Sequence, residues 1–195
     1  MKRELAVAAC IPFLFCVLLA TGTESPADES LPDRGPAPDF NLLTAGGEQV
    51  QLRGLRNQIV VVSFFYTWCP DICPLHTDKM SLVRDKLGDA FGRQVKFVSI
   101  TFDPVRDTPE VLLDYADAFD ANVDGWFFLT GNPDEIQQVA THFGLVTVQG
   151  QNGFIDHNLI TTIVDKSGRM RVQYAGYKFD PAHMHADLQK LIEQP

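Results

Sequence analysis

Apolar residues along this chain fall into short blocks whose period switches between continuous runs and helical spacing. Residues 58–66, Gln-Ile-Val-Val-Val-Ser-Phe-Phe-Tyr, form an apolar, β-branched run with the composition of a strand buried on both faces. Residues 95–102 read as a second buried strand and 126–129 as a third, shorter one. Between them the spacing turns helical. Met80, Leu82, Val83, Leu87 and Phe91 recur after Cys73-Pro74, so a helix follows the cysteines, with Pro74 suited to its first turn. Thr108-Pro109-Glu110 opens another through about residue 119, and Asn132-Pro133-Asp134-Glu135 starts a third that reaches His142 and ends at Gly144. Residues 159–165 and 170–175 flank Lys166-Ser167-Gly168 as a hairpin, and 181–192 supply the last helix. Upstream, 40–43 and 49–52 flank Ala45-Gly46-Gly47 as a short hairpin. Strands alternating with helices, then a hairpin and a helix, predict an α/β domain. Its central mixed β-sheet is flanked by helices and carries an N-terminal hairpin extension.

The first 22 residues follow a different rule. Lys2 and Arg3 precede an uncharged apolar run, 5–20, and small residues follow it, which is the layout of an export signal or of a membrane anchor. Both readings of 1–22 stand. Cys10 lies before most of that run, so it does not mark a lipoprotein cleavage box. The positive-inside rule leaves everything after residue 23 outside the membrane, in a bacterial periplasm, anchored to the inner membrane if the leader is retained. Residues 23–37, rich in Pro, Asp, Glu, Ser and Gly, read as a flexible tether, and 38–195 as one domain. The 195 residues, 45% hydrophobic, suffice for one core. A formal charge of −9 with no cluster of Lys and Arg excludes nucleic acid as a natural partner.

Export changes the reading of the cysteines. Cys10 and Cys16 lie in the leader, so Cys69 and Cys73 have only each other in the exported part. The segment Thr67-Trp68-Cys69-Pro70-Asp71-Ile72-Cys73-Pro74 leaves a buried strand and enters a helix, placing both thiols at the carboxyl end of the sheet. A nearby helix N-terminus stabilises thiolate. A helical turn wound from Cys69 would bring the pair within reach of a shared metal ion or, with adjustment, a disulfide. A disulfide over so short a loop would be a weak staple, which favours chemistry over structure. Soft thiolates select copper(I), zinc or an iron–sulfur cluster, and the third donor decides among them.

Three segments are similar to the Sco/SenC family: Phe64-Phe65-Tyr66-Thr67 ahead of the C-x-x-x-C, Val98-Ser99-Ile100-Thr101-Phe102-Asp103-Pro104-Val105-Arg106-Asp107-Thr108-Pro109, and Phe154-Ile155-Asp156-His157-Asn158. The resemblance runs over about 38–192. It implies a thioredoxin-like fold, with copper(I) and copper(II) bound through Cys69, Cys73 and His157, and the same two cysteines redox-active. It implies a metallochaperone that delivers copper to, or prepares the cysteines of, the binuclear copper site of cytochrome c oxidase. Oxidase subunit II would be the partner, alongside a thioredoxin-like reductant or another copper chaperone. Trp68 and Asn158 depart from the family pattern without changing a ligand; Trp68 would shield the site or offer a docking surface, and Asn158 would alter a hydrogen bond near the histidine.

Two other functions compete. In a thiol-disulfide oxidoreductase Cys69 attacks a partner disulfide and Cys73 resolves it. The three-residue spacer, and Asp156-His157-Asn158 where redox members of the fold usually place a cis-proline, favour metal instead. A thiol peroxidase would carry proline at position 63, which is Ser63. Among the remaining candidates, His76 is an auxiliary donor or, better, a solvated first-turn histidine. His183 and His185 read as surface residues on diverging sides of a helix. Asp71 and Asp156 either tune the thiols and orient His157 or are solvated carboxylates, and Asp103, Arg106 and Asp107 read as loop-fixing residues.

Overall fold

A computed structural model describes residues 30–150 and 153–194. Residues 1–22, read above as an export signal or membrane anchor and holding Cys10 and Cys16, lie outside the described residues. Among the described residues no helix is long and apolar enough to cross a membrane.

The three apolar runs become the core of the sheet. β3 (Ile59–Phe65), β4 (Val95–Thr101) and β5 (Trp126–Thr130) lie side by side and parallel. Every residue of β3 is buried, as expected for a strand covered on both faces. Antiparallel strands complete the sheet. β1 (Asn41–Thr44) and β2 (Gln49–Gln51) form the expected hairpin with Leu42 opposite Val50, and β1 docks on β5. β8 (Ile160–Val164) pairs with β3, and β9 (Met170–Ala175) with β8. The order is β2-β1-β5-β4-β3-β8-β9. α1 (Ile72–Leu87) packs against α4 (Pro181–Glu193), which also touches β3. α2 (Pro109–Ala118) packs on β5, and α3 (Pro133–His142) buries Ile136, Val139 and Ala140.

The helix starts follow local chemistry. Thr108, Asn132 and Asp180 each accept a backbone N–H of the first turn through the side chain, and each precedes a proline. Ser63 sits mid-strand, opposite Ser99 and Thr161, with its hydroxyl 3.2 Å from that of Ser99. A proline there would remove a ladder donor from a central strand.

Two elements differ from the sequence expectation. Thr147–Gln149 (β6) and Ile155–His157 (β7) form a separate two-stranded ladder, so His157 ends a strand of its own instead of standing in a loop before one. Part of the stretch read as a tether is fixed: Arg34 N–H donates to Met170 O at 2.9 Å and Ala37 N–H to Gly168 O at 3.0 Å. Asp33 also pairs with Arg169 at 2.6 Å. Backbone pairing and charge hold this segment, which composition alone does not disclose.

Candidate copper and thiol site

The chain leaves β3 at Phe65, passes Tyr66, Thr67 and Trp68, and reaches Cys69 before α1 begins at Ile72. Both sulfurs therefore stand at the carboxyl end of the parallel strands, where open α/β sheets bind ligands. Both cysteines are buried free thiols. The helix begins one residue before Cys73 and not after it, so Cys73 lies in the first turn, and the N-cap residue Asp71 makes no side-chain capping bond. The Cys69 sulfur substitutes as acceptor. It takes the Cys73 amide at 3.4 Å, and the amides of Asp71 and Ile72 also act on it.

The two thiols shift each other in opposite directions. Donation from the Cys73 thiol is the largest influence on Cys69 and, with those amides, outweighs burial and pulls its pKa down to about 5. The same bond, then burial and the Cys69 charge, push Cys73 far above the ordinary thiol range. At neutral pH the pair carries one proton and one negative charge.

Asp107 fixes the approach to this pair. It is wholly buried and accepts from the Thr67 amide at 3.2 Å, the Thr67 hydroxyl at 2.5 Å and the Thr101 hydroxyl. Burial raises its pKa, and its charge adds to the upward push on Cys73. Thr67 lies two positions before Cys69, so the buried carboxylate anchors the cysteine loop.

His157 lines a cavity of about 510 Å³, which is lined also by Tyr66, Cys69, Asp71 and Phe154. Tyr66 and Phe102 pack against its ring at centroid distances of 5.8 and 4.7 Å. Its Nδ1 is 3.0 Å from the Ile155 carbonyl, an acceptor only, so the proton belongs on Nδ1. Nε2 is then a lone pair. It is buried and has no hydrogen-bond partner. Asp156 does not orient this ring: the alternation of β7 puts it on the exposed face, opposite Ile155 and His157. Asn158 ties the base of the β6–β7 ladder, accepting from Val146 N–H at 2.7 Å and donating to Gly144 O at 3.0 Å.

The structure thus brings the two cysteines into contact and places His157 on the wall of the cavity that Cys69 lines, with Cys73 buried behind it. It does not gather all three: among the described residues no three His, Cys, Asp or Glu side chains stand close enough to hold a metal ion. His76 is not solvated. It is buried, its Nε2 lies 2.7 Å from the Thr161 hydroxyl, and its ring meets Phe179 edge-on. Trp68 is 58% exposed, too open to seal the site. His183 is exposed and His185 pairs with Gln189 at 3.1 Å, while Met184 between them is buried, consistent with a surface role for both histidines. Asp71 is exposed at the cavity rim.

Residues 30–193 match the family described as SCO1/SenC. This chain belongs to the SCO1/SenC family. A SCO2-like protein of Rickettsia typhi is 36% identical over 138 residues, covering 67% of this chain and 65% of that protein. The chain therefore spans just under two thirds of that relative's length. Solved Sco structures with copper bound superpose on this chain. ScoI of Arabidopsis thaliana with copper bound superposes with a TM-score of 0.71 at 27% identity, over 82% of this chain and 99% of that one. ScoI of Bradyrhizobium japonicum with copper bound gives 0.68 at 29%, over 80% and 99%. These neighbours share the central mixed sheet flanked by helices, the thioredoxin-like Sco fold.

Arg106 pairs with Asp103, in keeping with the loop-fixing role read from the sequence, whereas Tyr66 and Phe102 are site residues that the sequence reading did not single out. Tyr66 carried a signal: it is the one residue with a polar tip at the end of the buried run, where a strand meets a ligand-binding edge.

Proposed function

We propose that this Sco protein binds copper through Cys69, Cys73 and His157 and serves assembly of the binuclear copper site of cytochrome c oxidase. One observation carries the reading: His157, which lines a cavity together with the thiolate-prone Cys69, holds its proton on Nδ1 and leaves Nε2 buried with no partner. Leaving such an atom unpaired costs about 1–3 kcal/mol. A ligand that claims the lone pair removes that cost. Two sulfurs suit copper(I), and an imidazole extends the set to copper(II). Ligation by all three requires His157 to approach the sulfurs.

Copper is cargo in this reading. Cys69 at the cavity and Cys73 beneath it offer two donors of unequal exposure, so release can start at Cys69 while Cys73 retains hold. The recipient is subunit II of the oxidase, and the leader places the domain in the periplasm beside the inner membrane, where a second copper chaperone would load it.

The opposite shifts of the two thiols favour a companion reading as a thiol-disulfide reductant. Cys69 thiolate attacks a partner disulfide, forming a mixed disulfide and releasing one partner thiolate. Cys73 then loses its proton and attacks Cys69 sulfur, closing the Cys69–Cys73 disulfide and releasing the second partner thiol, so that two electrons pass to the partner. A thioredoxin-like reductant would reopen the bridge. The two readings separate in one experiment on a soluble copper-site domain of subunit II. If the copper(I)-loaded protein metallates the reduced domain, delivery is supported; if copper stays put while metal-free protein reduces the oxidised domain, thiol preparation is the task. Failure of both reactions refutes the proposal.

A further inference from the structure

Arg106 touches three segments that converge on the site. Its Nε pairs with the Asp103 carboxylate in its own loop. Its Nη1 donates to the Gly153 carbonyl at 2.8 Å, in the turn that leads into β7 and His157. Its guanidinium lies 5.1 Å from the Trp68 ring centroid, next to Cys69, and 5.9 Å from that of Tyr66. Trp68 in turn meets Phe154 at 6.5 Å. From β7 itself, Ile155 N–H donates to the Tyr66 hydroxyl at 3.5 Å, the outer limit of such a bond. Gly153 takes φ +80°, a left-handed conformation that favours glycine.

We propose that Arg106 is a positioning residue that fixes where His157 stands relative to the cysteine loop, by holding Asp103, the Gly153 carbonyl and the face of Trp68 at once. The inference rests on the copper reading above. A planar guanidinium can donate in two directions within its plane and present its face to a ring, whereas an ammonium ion cannot do all three. Trp68, neither a cover nor a simple core residue, gains a specific use: it ties the residue before Cys69 to the strand that carries His157. The clasp acts on the imidazole donor and leaves the two thiolates alone. Its removal therefore weakens the copper(II) state, which needs the imidazole, and spares the copper(I) state, which the sulfurs carry.

The test compares the full chain with Arg106→Ala, Arg106→Lys and Trp68→Ala by two readouts. The first is hydrogen exchange of the metal-free protein: backbone amides of Ile155–His157 should exchange faster in Arg106→Ala while β3 and β4 stay protected. The second is copper affinity: copper(II) binding should fall by about 10-fold or more, the usual scale for residues that orient a ligand, with copper(I) binding unchanged. Arg106→Lys should fall in the same direction, because it keeps the charge and loses the geometry, and Trp68→Ala should follow. Unchanged exchange at β7, equal losses of both copper states, or full rescue by lysine would overturn the proposal. If the unaltered protein takes up no copper, the copper reading falls, and the exchange readout decides the clasp independently.

Discussion

His76→Phe separates a buried structural histidine from a metal donor. The imidazole is 3% exposed, its Nε2 is 2.7 Å from the hydroxyl of the fully buried Thr161, and its ring meets Phe179 at 5.5 Å. Phenylalanine keeps a ring and its apolar contacts but strands the Thr161 hydroxyl, at a cost of about 1–3 kcal/mol. Burial, with the Lys79 charge adding to it, lowers the pKa of His76 from 6.5 to about 4. Above 6.5 the ring is neutral in both folded and unfolded chains and contributes no pH dependence. Between 6.5 and about 4 the unfolded chain binds a proton that the native protein refuses, so native stability falls as pH falls. The slope approaches about 1.4 kcal/mol per pH unit, or about 2 kcal/mol by pH 5. The variant has no such proton to bind. Urea unfolding of both proteins under reducing conditions at a series of pH values cancels every other titrating group in the difference. The variant should be the less stable by about 1–3 kcal/mol at neutral pH, and the gap should close near pH 5. A gap that stays constant across that range would refute a buried, neutral His76. Loss of a bound copper in the variant would instead make His76 a ligand.

Three further outcomes follow from the geometry. The ultraviolet absorption of the reduced protein should show one thiolate at neutral pH that disappears as pH falls through about 5, with the midpoint raised in Cys73→Ala; an unmoved midpoint would show that the Cys73 proton does not stabilise Cys69. Asp107→Ala strands the Thr67 amide and the Thr67 and Thr101 hydroxyls and should cost about 3 kcal/mol or more in thermal or chemical unfolding, with Asp107→Asn costing less; equal stability of all three proteins would refute the anchoring role. Gly125 sits at φ +97°, where an added Cβ would lie 2.5 Å from the Gly92 Cα. Gly125→Ala should therefore destabilise by more than about 1 kcal/mol, and an unchanged melting temperature would contradict that close approach.

Much of this architecture is legible in the residues because each signal is local. The all-apolar run of β3, the capping residues Thr108, Asn132 and Asp180 with their prolines, and the Lys166-Ser167-Gly168 turn each specify an element without reference to the rest of the fold. The β6–β7 ladder escaped because its strands have three residues each, too short for alternation to register. His76 was misjudged for another reason. The buried stripe of α1 is Cys73, His76, Thr77, Met80, Val83 and Leu87, a regular helical spacing in which two members are polar. Leu82, counted among the apolar positions, is 53% exposed. Reading the stripe from Cys73 onward, rather than from apolar residues alone, would have placed His76 inside. At the site, the motifs brought Cys69, Cys73 and His157 to notice. The span of Arg106 depends on contacts between distant segments, which no local pattern encodes, while the pairing of the sulfurs and the carbonyl that fixes the His157 tautomer depend on backbone geometry that residue identity alone does not specify.

The central claim is that the free Nε2 of His157 is a copper donor. Electron paramagnetic resonance of the copper(II) protein, compared with His157→Ala under the same conditions, tests it most directly. The account predicts nitrogen coupling in the resonance spectrum of the unaltered protein and, in its visible absorption, a thiolate-to-copper charge-transfer band. In the variant the nitrogen coupling should be lost and copper(II) affinity sharply reduced, while copper(I) still binds to the thiolate pair. An unchanged copper(II) spectrum in His157→Ala would contradict it.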